Sequence, residues 1–254
     1  MIKIEGLWKS FGDNEVLRGL DLEIRDGETI VIIGQSGCGK SVLLKHLCSL
    51  LKPDRGRVLV DGTDIVPLGE EELTPIRKQF GFLFQGAALF DSMTLYDNVA
   101  FPLREERRVE SEVQKRVEEA LKIVDLLEAQ DKKPAELSGG MRKRAGLARA
   151  VVANPKYVLY DEPTTGLDPI RADNINEMVL RLHDKLHVTG VAVTHDMVSA
   201  YKIADRIAML HEGRIHMVGT PKEIQATQDP IVKQFITGVS DAHQEVQLGT
   251  ETVR

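Results

Sequence analysis

One short segment of the sequence combines glycines, a lysine and a serine at a spacing suited to holding phosphate. Residues 34–41 read Gly-Gln-Ser-Gly-Cys-Gly-Lys-Ser and fit the pattern G-x-x-x-x-G-K-[ST]. Backbone N–H groups of such a loop converge on phosphate oxygens, and the following helix N-terminus favours negative charge. Lys40 would bridge the β- and γ-phosphates of a nucleotide, and the Ser41 hydroxyl would hold Mg²⁺. A purely structural turn has no need of Lys-Ser at its end. The residues predicted to bind nucleotide here are Gly34, Gln35, Ser36, Gly37, Cys38, Gly39, Lys40 and Ser41.

Two consecutive carboxylates follow an apolar run further along the chain. Asp161 and Glu162 come directly after residues 157–160, a run typical of a strand buried on both faces. In a parallel sheet both acids would lie near the edge that carries the phosphate loop. Asp161 is suited to the Mg²⁺ shell, and Glu162 is suited to orient or deprotonate an attacking water. Such a pair alone is more often an exposed turn, but the upstream loop favours catalysis.

The composition limits where such a site could work and on what. The 254 residues carry 33 Lys+Arg against 39 Asp+Glu, a formal charge of -6, so nucleic-acid binding is not expected. Two cysteines, Cys38 and Cys48, and a start without the apolar run of a signal peptide favour a reducing cytosol. Cys38 could be a reactive thiol, although an inert loop residue is the preferred interpretation. No window holds the ~20 apolar residues of a membrane-spanning helix, so any membrane role would be peripheral.

The elements that must position these residues have distinct patterns. Alternating apolar residues at 2–4 and 20–24, with a turn at 13–14 between them, predict an antiparallel β layer at the start of the chain. Continuous apolar runs, each followed by a helical pattern, predict a parallel sheet flanked by helices. The first of these helices is expected over 42–51. The predicted parallel strands are 29–33, 157–160 and 191–194.

A charged, helix-rich stretch separates two of these strands. We expect residues from about 86 to 154 to form a helical subdomain inserted in a domain of residues 1–226. One of its helices would bury Val113, Val117, Leu121 and Val124 on a single face. Residues 206–219 predict a hairpin turning at Glu212-Gly213, with a helix starting at Pro221. Residues 227–254 would form a tail with a short helix around 231–236 and a disordered end.

The segment Leu137-Ser138-Gly139-Gly140-Met141 resembles the signature motif of ABC ATPases. With the phosphate loop, the resemblance extends from Ile2 to about Gln225. It implies a P-loop NTPase fold of the RecA-like α/β class and an enzyme that hydrolyses ATP with Mg²⁺. It also implies that Ser138, Gly139 and Gly140 bind the ATP held by a second copy in a head-to-tail dimer. The physical basis is a helix capped by Ser138, whose N-terminus offers free N–H donors to an anion.

Three further residues fall where the family uses them. The resemblance implies that Gln85, after a strand over 80–84, contacts Mg²⁺ and the lytic water and reports to the membrane partner. Asp168 would link the two protomers, and His195 would contact the γ-phosphate. A lone histidine at a strand end is usually structural, but its position here favours the functional interpretation.

An aromatic residue near the N-terminus would stack on adenine. Phe11 occupies the family position for this contact, and Trp8 is a competing candidate. Val16 is the expected apolar neighbour of the base. An aromatic residue in this part of the chain could instead belong to the core.

The sequence departs from the common signature at one position. Most family members have Gln after the two glycines, whereas this chain has Met141, which cannot donate that amide hydrogen bond. Met141 with residues 142–144, together with segments 84–91 and 98–103, resembles the ATPases of bacterial Mla-type lipid transporters. That resemblance implies phospholipid transport between inner and outer membranes, with integral-membrane permease subunits, an MCE-domain protein and an ATPase pair at the cytoplasmic face of the inner membrane. At least two of residues 142–144 are expected to form a solvated helix face.

Two apolar segments could be docking surfaces. Residues 87–103 would form a groove for the permease coupling helix, or would simply pack the helical subdomain. Ile231, Val232, Phe235 and Ile236 would dock the tail on the partner ATPase, unless the tail is a solvated end.

Two other functions stay open at this point. One is an ABC transporter ATPase for another cargo, such as an amino acid or a lipoprotein. The other is a soluble ABC ATPase acting on ribosomes or DNA. The second is less favoured because the chain has one cassette and only short helices, whereas those proteins have two cassettes or long coiled coils.

Overall fold

The computed structural model describes residues 1–238, which fold into two β-sheets and a layer of helices. The predicted disordered end of the tail lies outside these residues. The strands are β1 Ile2–Phe11, β2 Asn14–Ile24, β3 Thr29–Ile33, β4 Arg55–Val60, β5 Thr63–Asp64, β6 Phe80–Leu83, β7 Tyr157–Asp161, β8 Thr189–Thr194, β9 Arg206–His211 and β10 Arg214–Gly219. The helices are α1 Lys40–Leu47, α2 Glu70–Arg77, α3 Leu95–Glu105, α4 Glu110–Ile123, α5 Gly139–Val151, α6 Pro169–Leu186, α7 Met197–Ile203, α8 Pro221–Ala226 and α9 Pro230–Thr237.

The smaller sheet is antiparallel and opens the chain. Its four strands lie in the order β2-β1-β4-β5, and β1 pairs with both β2 and β4. Ile2 lies opposite Ile24, and Ile4 lies opposite Leu22. All four side chains are buried, as period-two alternation requires when one face of a sheet is covered. The predicted antiparallel layer is therefore confirmed.

The larger sheet has six strands in the order β10-β9-β3-β8-β7-β6. β6, β7, β8, β3 and β9 are parallel, and β10 returns antiparallel through the predicted hairpin. Alternate residues of β3 serve two different cores: Val31 and Ile33 pack with the helical layer, whereas Ile30 and Ile32 pack toward the small sheet. Burial on both faces explains why these strands read as continuous apolar runs.

Helices α3, α4 and α5 lie between β6 and β7 in the chain. The apolar face of α4 is buried as predicted, with Val113, Val117 and Leu121 at 0% exposure. The Thr94 side chain caps α3 by accepting from the Asp97 N–H. The strand predicted over 80–84 ends at Leu83, and regular helix begins only at Leu95. The eleven residues 84–94 form the connection to this helical layer.

The helix after the phosphate loop differs from the prediction of 42–51. It starts at Lys40 and stops at Leu47, because Ser49 takes a left-handed conformation with φ +54°. The Leu50 N–H then returns to the Lys45 carbonyl at 2.9 Å, and the Ser49 N–H donates to the His46 carbonyl at 3.2 Å. This is a Schellman ending with Ser in the position where glycine is usual, so the composition gave no signal for it.

The C-terminal helix packs on its own chain. Val232 is fully buried in the core beneath the helical layer, and Ile231, Phe235 and Ile236 are partly buried against the same core. Asp229 caps α9 by accepting from the N–H groups of the helix start. The hypothesis that this apolar face docks on a partner copy is wrong for Val232, because α9 already buries that side chain within the molecule.

Candidate active site

Three parallel strands end side by side at one edge of the large sheet. Ile33 at the end of β3 pairs with Thr194 at the end of β8, and Asp161 at the end of β7 pairs with Val193. The residues that follow these strands therefore meet at this edge. They include the phosphate loop, Glu162 and His195, all of which the sequence analysis proposed as functional.

The phosphate loop wraps around the ammonium group of Lys40. Its Nζ donates to the carbonyl oxygens of Gly34 at 2.8 Å and Gln35 at 3.0 Å. The residue is 6% exposed and starts α1, so its charge lies where the helix N-terminus also favours an anion. The loop can thus present one cation and several N–H donors to a phosphate chain.

Two glycines of the loop are required by close packing. A Cβ on Gly34 would lie 2.4 Å from the Leu210 carbonyl oxygen, which is backbone and cannot yield. A Cβ on Gly39 would lie 2.7 Å from Val16 Cγ1, and Gly39 has φ +106°. The loop is therefore held tightly between β9 and β2, and Val16 lies directly against it.

The two carboxylates have different partners. Asp161 accepts a hydrogen bond from the Ser41 hydroxyl at 2.7 Å. Glu162 Oε1 lies 3.0 Å from His195 Nδ1 and 3.9 Å from Lys40 Nζ. Because an ionised carboxylate can only accept, Nδ1 is the donor in the histidine contact. One acid thus faces the hydroxyl of the phosphate loop and the other faces two nitrogen groups.

The sequence reasoning missed three side chains that hold Glu162. Thr165 donates to Oε2 at 2.9 Å and Thr194 donates to it at 3.3 Å. Lys143 Nζ donates to the main-chain carbonyl of Glu162 at 2.9 Å. A helical-wheel argument could have found Lys143, because it shares the buried face of α5 with Gly146 and other small residues.

The expectation of a solvated face for residues 142–144 is wrong. Only Arg142 is exposed. Lys143 is 6% exposed, and burial lowers the pKa of its ammonium group, with the charges of Asp161 and Glu162 opposing that shift. Arg144 is half-buried and donates to the Val124 carbonyl at 3.0 Å.

Cys38 is not poised as a nucleophile. Burial raises the pKa of its thiol, and this outweighs the nearby charge of Lys40, which acts in the opposite direction. The thiolate is the reactive form, so a raised pKa makes the group less reactive at neutral pH. This direction of the pKa shift favours the interpretation of Cys38 as a small loop residue.

The two aromatic candidates differ in what they already contact. The Trp8 indole packs over Gly19, where an added Cβ would lie 3.1 Å from its Nε1. The Phe11 ring is 49% exposed, and Lys9 Nζ lies 5.4 Å from its centroid. Phe11 therefore has an exposed ring that could stack on adenine, whereas the Trp8 ring packs against the small sheet.

Four of the predicted site residues lie apart from this group. Ser138 caps α5 by accepting from the Met141 N–H at 3.3 Å, and Asp168 caps α6 by accepting from the Arg171 N–H at 3.0 Å. Ser138, Gly139 and Asp168 are exposed and Gly140 is half-exposed. Within residues 1–238, no hydrogen bond joins these four to the phosphate loop.

Gln85 lies two residues beyond the end of β6, at the same edge of the sheet as Glu162. Its side chain is exposed and makes no hydrogen bond to any residue from 1 to 238. It is therefore free to meet a group that approaches this edge.

The family model that describes an ABC transporter matches residues 17–165. The chain belongs to the ABC transporter family. The matched segment contains the phosphate loop, the signature motif and both carboxylates. The prediction of an ATPase of this family is confirmed.

Curated ABC proteins resemble the chain over most of its length. "Probable ribonucleotide transport ATP-binding protein mkl" of Mycobacterium leprae is 46% identical over 93% of this chain and 69% of its own length. "Intermembrane phospholipid transport system ATP-binding protein MlaF" of Haemophilus influenzae is 38% identical over 95% of this chain and 92% of its own. "Sulfate/thiosulfate import ATP-binding protein CysA" of Methylococcus capsulatus is 40% identical over 98% and 71%.

A solved ABC structure shares the fold. The ATP-binding cassette MJ0796, described as a dimer in a post-hydrolysis state with ADP and Pi, superposes with a TM-score of 0.80 at 34% identity. The match covers 87% of this chain and 99% of that chain. The predicted P-loop NTPase fold is thereby confirmed.

The oxygen groups at the site fit the Mg²⁺ that accompanies ATP in such enzymes. The Ser41 hydroxyl and the Asp161 carboxylate face each other at 2.7 Å at the end of the phosphate loop. Mg²⁺ prefers oxygen ligands and is usually bound by one or two protein groups together with substrate phosphates and water. The pair therefore suits a magnesium ion bound with nucleotide.

The apolar stretch 87–103 of this ABC protein divides between core and surface. Leu95, Val99, Ala100 and Leu103 are fully buried, so the packing interpretation is correct for them. Phe90 is 42% exposed and contacts Phe101, with ring centroids 4.9 Å apart. A groove of about 770 Å³ opens beside these rings, and its aromatic and proline lining consists of Phe80, Phe82, Phe84, Phe90, Phe101, Pro102 and Pro155.

None of the helices within residues 1–238 combines the length and the apolarity that crossing a membrane requires.

Proposed function

We propose that this chain is the ATP-hydrolysing subunit of a transporter that moves phospholipid between the inner and outer membranes of a bacterium. It would act at the cytoplasmic face of the inner membrane. The observation that carries the ATPase part is the meeting of Lys40, Ser41, Asp161, Glu162 and His195 at one edge of the parallel sheet.

ATP would bind along the phosphate loop. Lys40 would contact the β- and γ-phosphates, with the N–H groups of residues 34–39 around them. Ser41, Asp161 and Gln85 would hold Mg²⁺, whose charge stabilises the phosphate oxygens. Phe11 would stack on adenine, supported by its exposed ring and by Val16 against the loop.

Glu162 would accept the proton of the attacking water. Its Oε2 is already held by Thr165 and Thr194, which fixes the plane of the carboxylate. In the proposed complex, Lys40 and His195 reach the γ-phosphate and Oε1 is left to face the water. Gln85 would orient that water from the neighbouring strand end.

The second half of each site would come from a second copy of the chain. Ser138, Gly139 and Gly140 at the start of α5 would contact the γ-phosphate of ATP bound by the partner. Asp168 would link the protomers. Support comes from the exposure of Ser138 and Asp168 and from Ile170, an apolar residue of the same surface that is 76% exposed.

The groove beside Phe90 would receive a helix of an integral-membrane permease subunit. A helix with an apolar face fits a groove lined by aromatic rings and bounded by charged side chains. This groove adjoins the segment that follows Gln85. Only a few residues separate Gln85 from Phe90 in the groove. Movement of the permease helix would therefore be transmitted to the ATP site through this short segment.

The phospholipid cargo is supported by the relative named for phospholipid transport, which matches 92% of its own length to this chain. The Met141 signature variant and the segments 84–91 and 98–103 support the same assignment. A permease and an MCE-domain protein would complete the complex. The alternative is an ABC transporter for another cargo, since relatives named for ribonucleotide and sulfate transport are equally similar or more so.

The site proposal is tested by Glu162→Gln in the purified full-length chain. We expect ATP affinity to stay within about threefold of wild type and kcat to fall at least about a hundredfold, because the general base is lost. Lys52→Met, which changes an exposed side chain outside this site and outside the groove lining, is the control. Turnover of Glu162→Gln at the wild-type rate would remove Glu162 from the proposed role.

A further inference from the structure

The backbone of Glu162 has a conformation that a glutamate rarely adopts. Its φ is +49°, in the left-handed region that disfavours residues with a Cβ. Such conformations persist where the surroundings fix them. Here the Glu162 N–H donates to the Val193 carbonyl at 3.0 Å, and the Glu162 carbonyl accepts from Lys143 Nζ at 2.9 Å.

The contact places the buried ammonium group of Lys143 against a neutral acceptor, the Glu162 carbonyl. Lys143 is 6% exposed, and within residues 1–238 its only hydrogen bond is the one to the Glu162 carbonyl. Burial lowers the pKa of the ammonium group, so the position is costly for a lysine. Replacement by an apolar side chain of similar length would remove that cost. The contact therefore calls for an explanation other than packing.

We infer that Lys143 is a positioning residue, which fixes the strained peptide of Glu162 so that its carboxylate faces the attacking water. This inference rests on the proposed role of Glu162 and deepens it. The carboxylate has its own partners in Thr165, Thr194 and His195. Lys143 acts on the other end of the residue, where it holds the main chain from which the carboxylate projects.

The same helix carries the group proposed to sense the partner's nucleotide. Ser138 caps α5, and Lys143 follows five residues later, about 7.5 Å along the helix axis. A shift of α5 on contact with ATP in the opposite site would therefore move Nζ relative to the Glu162 carbonyl. Under the proposed dimer, Lys143 would thus link the helix start in one ATP site to the general base of the other.

The test compares Lys143→Met, Lys143→Arg and Lys52→Met in the full-length chain. Lys52 is a matched control: its Nζ also donates to a main-chain carbonyl, that of Leu68 at 3.2 Å, but lies outside the ATP site and outside the groove lining. We expect Lys143→Met to lower kcat about 10- to 100-fold with the KM for ATP within about twofold. Lys143→Arg, whose guanidinium can reach the same carbonyl, should recover most of the loss. Lys52→Met should keep the wild-type kcat.

A double-mutant cycle separates positioning from a general structural effect. In the Glu162→Gln background, Lys143→Met should change the residual rate by less than about twofold, because the group it positions is already lost. An equal loss in both backgrounds, or a wild-type kcat for Lys143→Met, would overturn the inference. Lys143→Gln serves the same comparison should Lys143→Met not fold. A wild-type rate for Glu162→Gln would instead overturn the proposed role of Glu162 itself.

Discussion

Burial sets the chemistry of single residues around the phosphate loop. Lys40 and Lys143 are both 6% exposed, yet each ammonium group donates to main-chain carbonyls of the site. One lysine therefore acts on the site from the loop and the other from α5. The acids that they approach, Asp161 and Glu162, are also buried, which strengthens each of these contacts relative to water.

The two cysteines should be unreactive in the folded chain. Burial raises the pKa of Cys48 to about 11, from an ordinary 9.0, and raises that of Cys38 in the same direction. At pH 7.5 the Cys48 thiolate is then about a hundredfold scarcer than in the unfolded chain. We expect slow labelling by iodoacetamide in buffer and rapid labelling in denaturant, measured by mass spectrometry. Fast native labelling of either thiol would contradict this.

The same shift gives stability a pH dependence. The folded state holds the Cys48 proton more tightly, so this contribution is complete below pH 9 and is lost as the pH rises toward 11. The unfolding free energy of wild type should therefore fall more steeply over that range than that of Cys48→Ala. The difference should approach roughly 2–3 kcal/mol. Parallel pH curves would contradict the shift.

At the scale of elements, α5 approaches the large sheet through glycines. A Cβ on Gly81 of β6 would lie 2.0 Å from the Ala150 carbonyl oxygen of α5. We expect Gly81→Ala to destabilise the chain by about 1–3 kcal/mol, because backbone must move. Gly86→Ala is the matched control, since a Cβ there meets nothing within 4 Å. Urea unfolding measures both, and equal midpoints would contradict the packing.

Local patterns predicted the elements well because their signals are periodic. The buried strands and the face of α4 follow from runs of apolar residues that need no knowledge of distant contacts. The end of α1 could not be predicted, because Ser49 takes the left-handed position usually held by glycine. Lys143 was assigned to solvent because of its charge, although its spacing places it on the buried face of α5. Its partner, the Glu162 carbonyl, lies 19 residues away in the chain, so the contact leaves no sign in the local sequence.

The division of residues 87–103 between core and surface could not be predicted either. Buried Leu95 and exposed Phe90 are both apolar, and only the packing of α3 against the other helices separates them. The sequence motifs did predict which side chains meet at the sheet edge. They did so because motif and topology together fix the ends of parallel strands.

At the scale of the whole molecule, the groove beside Phe90 leads us to a prediction about assembly with the permease. Phe90→Glu should abolish capture of permease subunits by the tagged chain, while the melting temperature stays near wild type, because Phe90 is 42% exposed. Val109→Glu, at an exposed apolar residue outside the groove lining, should leave capture intact. Unfolding of Phe90→Glu would assign the residue to the core instead.

The central claim is that ATP hydrolysis by this chain drives phospholipid transport at a membrane. The most direct measurement is to purify the tagged full-length chain from its native membrane in mild detergent and identify bound proteins and lipids by mass spectrometry. The account predicts an integral-membrane permease, an MCE-domain protein and bound phospholipid. A permease with a binding protein for another solute, or no membrane partner at all, would contradict it.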